Sequence, residues 1–159
     1  MIVFDSSPLI HLTKINKIKY VIKLFGKINI PAALYNEVVT VGIKNNRYDA
    51  KIIENYVKKE EINVQNISVS KLFKNILHPG EREALSLAKK RGALLIMDEK
   101  KARFIAHQNN IYVHGTLGVL LILLKEKIID KNHYLENLKL YADQGWISIG
   151  LYQKFRDEV

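Results

Sequence analysis

Short apolar runs that end at an aspartate alternate along this chain with segments of helical periodicity. Residues 2–4 are apolar and are followed at once by Asp5, and the uninterrupted apolar run at residues 93–97 is followed by Asp98. Such a run is typical of a strand covered on both faces, and strands that alternate with helices form a parallel sheet. The sequence therefore predicts an α/β fold with a mostly parallel sheet.

The other expected elements follow from apolar spacing and from turn residues. Strands are predicted at residues 28–30 and 111–113, and apolar residues recur at helical spacing from Leu9 until Gly26 ends them. Ser7 and Pro8 are the expected N-cap and first residue of that first helix. Residues 42–47 predict a loop, and residues 61–77 show no clear pattern. Further helices are predicted over residues 31–41, 48–59, 79–91, 101–108, 116–127 and 132–141.

Length and composition exclude several classes of protein. With 159 residues and 48% hydrophobic content, the chain is long enough for one core, and we expect a single domain over residues 1–159. The sequence contains no cysteine, which excludes disulfides, thiolate zinc sites and a cysteine nucleophile. Its five histidines form no close ligand pair, so a bound metal would need oxygen ligands.

We expect a cytoplasmic protein with polyanionic partners. The N-terminus shows no secretory signal, and the longest apolar run, residues 119–124, is far shorter than the roughly 20 residues that cross a bilayer. The formal net charge of +9 favours nucleic acid or an acidic protein as partner, although lysine-rich surfaces are often only solvated.

Four carboxylates are the candidate site residues. Asp5 and Asp98 each follow a predicted strand at its carboxyl end, where open parallel sheets bind ligands. Glu37 lies beside an apolar stripe of its helix, and Glu81 lies in the first turn of the helix that Pro79 opens. Each has a structural alternative: Asp5 and Asp98 can cap helices, Glu37 can reach water, and Glu81 suits a helix dipole.

Carboxylates that converge repel one another, so they must take up protons or bind a cation. Mg²⁺ or Mn²⁺ prefers oxygen ligands, and it can activate water for attack on a phosphodiester. Positively charged side chains would bind the phosphate backbone. Hydrolysis of nucleic acid is therefore the hypothesis that accounts for both the acids and the positive charge. Glu99 remains an alternative to Asp98 as the acid at this position.

Five sequence blocks resemble a known family in order and spacing, from residue 1 to about residue 155. They are similar to a subfamily of PIN domains related to the VapC-type toxin ribonucleases. The blocks are Asp5-Ser6-Ser7-Pro8-Leu9-Ile10, Ile30-Pro31 leading to Tyr35-Asn36-Glu37-Val38, His78-Pro79-Gly80-Glu81-Arg82-Glu83-Ala84-Leu85, Ala93-Leu94-Leu95-Ile96-Met97-Asp98 and Val113-His114-Gly115-Thr116-Leu117-Gly118-Val119-Leu120.

The resemblance implies a three-layer α/β/α fold and a divalent-metal-dependent endoribonuclease. It implies that the metal ligands and catalytic acids, in chain order, are Asp5, Glu37, Glu81 and Asp98. Ser6, where relatives commonly have threonine, and Thr116 in a Gly-Thr turn would support the site. Many relatives have aspartate where this chain has Glu81. The family usually uses Mg²⁺ or Mn²⁺ and cleaves RNA, often as the toxin of a toxin–antitoxin module with a small antitoxin, and homodimers are common.

Four alternatives compete with this interpretation. A haloacid-dehalogenase-like enzyme would need a second aspartate at the position of Ser7, and a receiver domain would need an adjacent acidic pair near Asp5. A catalytically silent PIN-like module that binds RNA or protein is the stronger rival, and a DNA-directed nuclease would share the phosphate chemistry.

Overall fold

The centre of the fold is a parallel sheet with its first strand in the middle. The structure is a computed structural model that describes residues 1–73 and 78–159. In this part of the chain the sheet has five strands in the order β3-β2-β1-β4-β5, and every neighbouring pair is parallel. The strands are β1 (Ile2–Phe4), β2 (Ile28–Pro31), β3 (Ile62–Gln65), β4 (Leu94–Ile96) and β5 (Val113–His114).

Helices connect the strands and continue beyond the last one. They are α1 (Ser6–Lys14), α2 (Ile18–Phe25), α3 (Ala32–Tyr35), α4 (Val41–Lys44), α5 (Tyr48–Lys58), α6 (Pro79–Arg91), α7 (Lys100–Gln108), α8 (Thr116–Lys125), α9 (Lys131–Asp143) and α10 (Ile149–Arg156). A π-helical turn at Asn36–Thr40 joins α3 to α4, and a 3₁₀ turn lies at Lys71–Phe73.

Burial of the central strands confirms the predicted α/β fold. All three residues of β1 are buried, and because successive side chains of a strand point to opposite faces, both faces of the sheet are covered there. On one face, Val3 and Leu95 belong to a buried apolar cluster with Leu85 of α6 and Ala106 of α7. Burial of this kind is the main stabilising contribution to such a sheet.

The described residues form two compact units. The first, residues 1–116, contains the sheet, α1–α7 and all the predicted site residues. In the second, residues 117–159, α10 packs on α9, and the hydroxyl of Tyr134 donates a hydrogen bond of 3.0 Å to the carbonyl of Phe155. The expectation of a single domain over residues 1–159 stays a prediction.

Several boundaries differ from the sequence predictions. The first helix begins at Ser6, not at Pro8, so Asp5 and not Ser7 stands at the N-cap position. The apolar periodicity of residues 9–25 is divided between α1 and α2, because the backbone at Asn16 is left-handed with φ 56°. Asparagine tolerates this conformation better than most residues, which permits a sharp break.

Four other elements lie wholly or largely where no helix or strand was predicted. β3 and the 3₁₀ turn lie within residues 61–77, of which residues 74–77 are outside the described part of the chain. α4 occupies half of the predicted loop at residues 42–47, and α10 follows the last predicted helix. In the described ranges, we find no helix with the length and apolar character that a membrane span requires.

Candidate functional site

Asp5 lies at the carboxyl edge of the sheet, in the middle of its strand order. Phe4 pairs with Ile96, and the amide of Asp5 continues this ladder by donating a hydrogen bond of 2.9 Å to the carbonyl of Ile96. Its side chain is 4% exposed and forms no helix-capping hydrogen bond, although the amide of the adjacent Ser6 interacts with it. The carboxylate of Asp5 is therefore buried without the capping role that was its structural alternative.

The pKa of Asp5 shows that the other predicted acids act on it. Burial raises this pKa from its ordinary 3.8 to about 7, although a hydrogen bond from the amide of Ser6 opposes the shift. The negative charges of Glu81, Glu37 and Asp98, in that order of size, raise it further. The structure thus brings the four acids within electrostatic reach of one another, with Asp5 as the most perturbed member.

Asp98 differs from Asp5, because direct contacts stabilise its ionised form. Its Oδ1 accepts a hydrogen bond from the backbone amide of Thr116 and its Oδ2 accepts one from the Thr116 hydroxyl, both at 2.7 Å. His11 Nδ1 lies 3.8 Å from Oδ2. Burial alone would raise the pKa of Asp98, but the interactions with His11 and Thr116 outweigh it and lower the pKa below its ordinary value. Asp98 is therefore kept ionised and fixed in orientation.

His11 is a site residue that the sequence analysis missed. It lies in the second turn of α1, the helix that follows Asp5, and its ring reaches Asp98 on the neighbouring strand end. Its place soon after the first strand-ending acid was the available signal. Because the contact partner is far along the chain, spacing alone could not identify it.

Glu99 has a different role from its neighbour Asp98. It is the N-cap of α7, where its Oε2 accepts a hydrogen bond of 2.7 Å from the amide of Ala102. The carboxylate of Glu99 thus satisfies the start of a helix, and Asp98 is the acid that faces Thr116 and His11.

Glu37 is an exposed residue in the π-helical turn between α3 and α4. A Cβ placed on Gly80 would lie 3.3 Å from its Oε2, so the carboxylate reaches the first turn of α6. The apolar stripe predicted beside Glu37 requires an uninterrupted α-helix. The π turn changes the side-chain spacing, and such turns are frequent at functional sites.

Glu81 also stabilises the start of its own helix, as its position in the first turn suggested. Its Oε2 accepts a hydrogen bond of 3.0 Å from the amide of His78 at the start of α6. Two positions on, the Oε2 of Glu83 accepts a hydrogen bond of 3.1 Å from the amide of Ala33 at the start of α3. Glu81 nevertheless contributes the largest of the three charge effects on Asp5.

The four acids do not form a ready ligand set. Over residues 1–73 and 78–159, no three histidine or acidic side chains lie close enough together to hold a metal ion as they stand. Asp5 and Asp98 come from adjacent strand ends, while Glu37 and Glu81 extend toward the start of α6. Ser6 contributes its backbone amide to Asp5, and Thr116 contributes both its amide and its hydroxyl to Asp98.

Comparison with known proteins gives a family match and a structural neighbour. A family model described as a PIN domain, DUF3368, matches residues 1–159. A PilT N-terminus domain protein, SSO1118, from the hyperthermophilic archaeon Sulfolobus solfataricus P2 has a similar structure, with a TM-score of 0.54 and 20% sequence identity over 77% of this chain and 92% of that one. At this identity the likeness supports the fold alone. No curated protein matches the chain.

Proposed function

The chain belongs to the PIN domain family DUF3368, and on that premise we propose that it is a divalent-metal-dependent endoribonuclease. PIN domains are generally nucleases, which gives the class of reaction. We further propose that the substrate is RNA. The catalytic acids would be Asp5, Glu37, Glu81 and Asp98, with Ser6 and Thr116 in support.

The observation that carries the proposal is the raised pKa of the buried Asp5 carboxylate. A buried carboxylate whose pKa rises to about 7, partly through the charges of three other acids, is unstable as an anion without a cation nearby. Strongly perturbed acids of this kind are concentrated at functional sites. The site lies at the carboxyl edge of a parallel sheet, which is the usual place for ligands in such folds.

The donor set fits Mg²⁺ or Mn²⁺, because it consists of carboxylate oxygens and contains no thiolate. Asp5, Glu37, Glu81 and Asp98 would hold the ion. When bound, such an ion lowers the pKa of water and stabilises negative charge on a phosphodiester. Glu37 is exposed, so its side chain can change rotamer without displacing packed neighbours.

The protein residues around these acids set their protonation and orientation. Thr116 and His11 keep Asp98 ionised and pointed in one direction. In the metal-free protein Asp5, with its pKa about 7, exchanges a proton near neutral pH, and a bound cation would favour its ionised form. The net charge of +9 favours the approach of a polyanion such as RNA.

We also propose, from the resemblance to toxin-type relatives, that the protein acts in the cytoplasm as the toxin of a toxin–antitoxin module. The partners would be a small antitoxin and a second copy of the chain. Exposed apolar residues on α4 and α5 support a protein partner, since such residues are enriched in interfaces: Val41, Tyr48 and Ile52 are 44%, 57% and 38% exposed.

The test is cleavage of labelled single-stranded RNA, and of DNA of matching sequence, in Mn²⁺, in Mg²⁺ and in EDTA. Asp5→Asn and Asp98→Asn should each lose activity by more than the roughly 10–100-fold typical of an outer-shell partner, and EDTA should abolish it. Asp143→Asn, an exposed acid on α9, is the matched control and should retain wild-type activity.

The outcomes separate the alternatives. Equal degradation by wild type and all variants indicates a contaminating nuclease. A protein that binds RNA but cuts no substrate in either metal is a silent binding module, and cleavage of DNA in preference to RNA replaces the substrate that we propose.

A further inference from the structure

We propose that Arg103 forms an anion subsite beside Asp98, which binds a backbone phosphate of single-stranded RNA. The choice of RNA as ligand rests on the proposed function. The subsite itself rests on the position and the missing partner of the Arg103 guanidinium, which are properties of the structure alone.

Arg103 lies one turn into α7, the helix that begins directly after Asp98 and Glu99. Its guanidinium extends over Gly115: a Cβ placed on Gly115 would be 2.6 Å from one terminal nitrogen of Arg103 and 3.8 Å from its Cζ. The same Cβ would be 3.1 Å from Asp98 Oδ1. The guanidinium and the Asp98 carboxylate therefore border one point, which the glycine leaves open.

Arg103 nevertheless meets no acceptor among the residues that the structure describes. Within residues 1–73 and 78–159, no carboxylate lies within the 4.0 Å of an ion pair to Arg103, and no hydrogen bond from its guanidinium is formed. Both oxygens of Asp98 are already bound by Thr116. A half-buried guanidinium thus keeps its five N–H donors for another group.

The other arginines in the described part of the chain show that this is unusual here. Each of them interacts with a neighbour in the protein: Arg47 with Asp49, Arg91 with Gln65, Arg156 with Asp157, and Arg82 also within the chain. Arg103 differs from these four, and it is the arginine that lies at the acid edge of the sheet.

Phosphate is the anion that best matches this geometry. A guanidinium binds phosphate through two parallel N–H donors, and partial burial strengthens such a contact. A phosphate held at Arg103 would lie beside Asp98, so an RNA strand would be placed along the carboxylates. Contacts to phosphate position a strand without reading its sequence, and we therefore expect Arg103 to contribute affinity and register, not base preference.

The test measures binding of a short fluorescein-labelled single-stranded RNA by anisotropy, in EDTA, over a series of salt concentrations. We expect Arg103→Gln to weaken binding roughly tenfold, as loss of one charged hydrogen-bonded contact does. The slope of log affinity against log salt should fall by about 0.7, the value for one phosphate contact on a single strand.

Two further variants sharpen the result. Arg103→Lys keeps the charge but removes the two-pronged donor, so it should retain the salt slope and still lose several-fold in affinity. Arg91→Gln is the matched control: Arg91 is an exposed arginine that precedes β4, whereas Arg103 follows it. Its affinity should stay within about twofold of wild type, because it lies away from the acid edge.

Equal affinity and salt slope for Arg103→Gln and Arg91→Gln, with wild-type circular dichroism for both, would overturn the subsite. If Arg103→Gln does not fold, Arg103→Lys decides, and wild-type affinity in that variant overturns the proposal. Because the assay needs no cleavage, the two proposals fail separately. If the wild type never cuts RNA while Arg103→Gln lowers the salt slope as expected, the nuclease is refuted and the subsite stands.

Discussion

Substitution of Asp5 by asparagine should make the metal-free protein more stable at high pH. Folding raises the pKa of Asp5 from 3.8 to about 7, so the folded state binds this proton more tightly than the unfolded state does. The stability that this proton contributes is complete below pH 3.8 and is lost as the pH rises through about 7. Asparagine cannot ionise, and the variant should not show this loss.

The magnitude follows from the size of the pKa shift. At about 1.4 kcal/mol for each pKa unit, the ionised Asp5 lowers the free energy of unfolding by about 4 kcal/mol once the pH exceeds 7 by a unit or more. The side chain is 4% exposed, so solvent screens little of this effect. Against the roughly 5–15 kcal/mol of a typical domain, the difference is large.

Urea unfolding in EDTA, followed by circular dichroism at several pH values from about 4 to about 8.5, measures this effect. The change from aspartate to amide has its own pH-independent cost. The quantity to compare is therefore the change in the stability difference between wild type and Asp5→Asn across the pH range. Asp143→Asn, on the exposed surface of α9, should give a difference that does not vary with pH.

A stability difference for Asp5→Asn that is as flat as the control would refute the reasoning, because Asp5 would then be neither buried as an anion nor repelled by its neighbours. Adding Mg²⁺ gives a second comparison. If the acids bind it, the wild type should regain stability at high pH, by about 2.7 kcal/mol at a hundredfold excess over the dissociation constant. Asp5→Asn should regain less.

Two further pairs of substitutions test contacts away from the ionisation of Asp5. Thr116→Val should raise the pKa of Asp98 and lower the free energy of unfolding by about 1–2 kcal/mol near neutral pH, because ionised Asp98 stabilises the fold above its unfolded pKa and this stability is lost as the pH falls through the lower folded pKa. Thr116→Ser should leave the pKa of Asp98 and the free energy of unfolding unchanged, which carboxylate NMR titration and urea unfolding would measure. Gly42→Ala places a Cβ 2.7 Å from the Cβ of Ala50 and should cost about 1–3 kcal/mol, whereas Gly150→Ala, with nothing within 4 Å, should stabilise by about 0.5–1 kcal/mol in thermal unfolding.

The sequence predicted the elements whose signals are local. The apolar run before Asp98 indicated a buried strand, and β4 is found there. Pro79 and Gly92 marked the ends of a helix, and α6 runs from Pro79 to Arg91 with Gly92 in the left-handed conformation at its C-cap. Each of these signals depends on a few adjacent residues, so no tertiary partner was needed to recognise it.

The missed strand β3 depends on a partner that is distant in sequence. It alternates apolar Ile62 and Val64 with polar Asn63 and Gln65, a pattern too short to distinguish from a loop. What fixes it is its register on β2, where Ile62 pairs with Ile28. Gln65 also donates a hydrogen bond of 2.6 Å to the buried side chain of Asn29.

The positions of the acids could likewise be predicted from local sequence, but their contact partners are distant in sequence. Sequence placed each carboxylate at the end of a strand or on a helix, but its role depends on the amide or hydroxyl that it meets after folding. Glu99 and Glu83 accept hydrogen bonds from helix-start amides, whereas Asp98 meets Thr116 from a later turn of the chain. Neither spacing nor residue type distinguishes these outcomes, because the three side chains carry the same group.

Two charged groups that these contacts do not neutralise indicate what the edge of the sheet can bind. Asp5 is a buried acid whose charge is opposed by other acids, and Arg103 is a half-buried cation without an acceptor in the described residues. They do not neutralise each other, although both border the Asp98 region of the same edge. A cation among the acids and a phosphate at the guanidinium would satisfy both at once. A phosphodiester brought to a divalent ion supplies that combination, so the stability cost of ionised Asp5 and the missing partner of Arg103 have one explanation in the proposed nuclease.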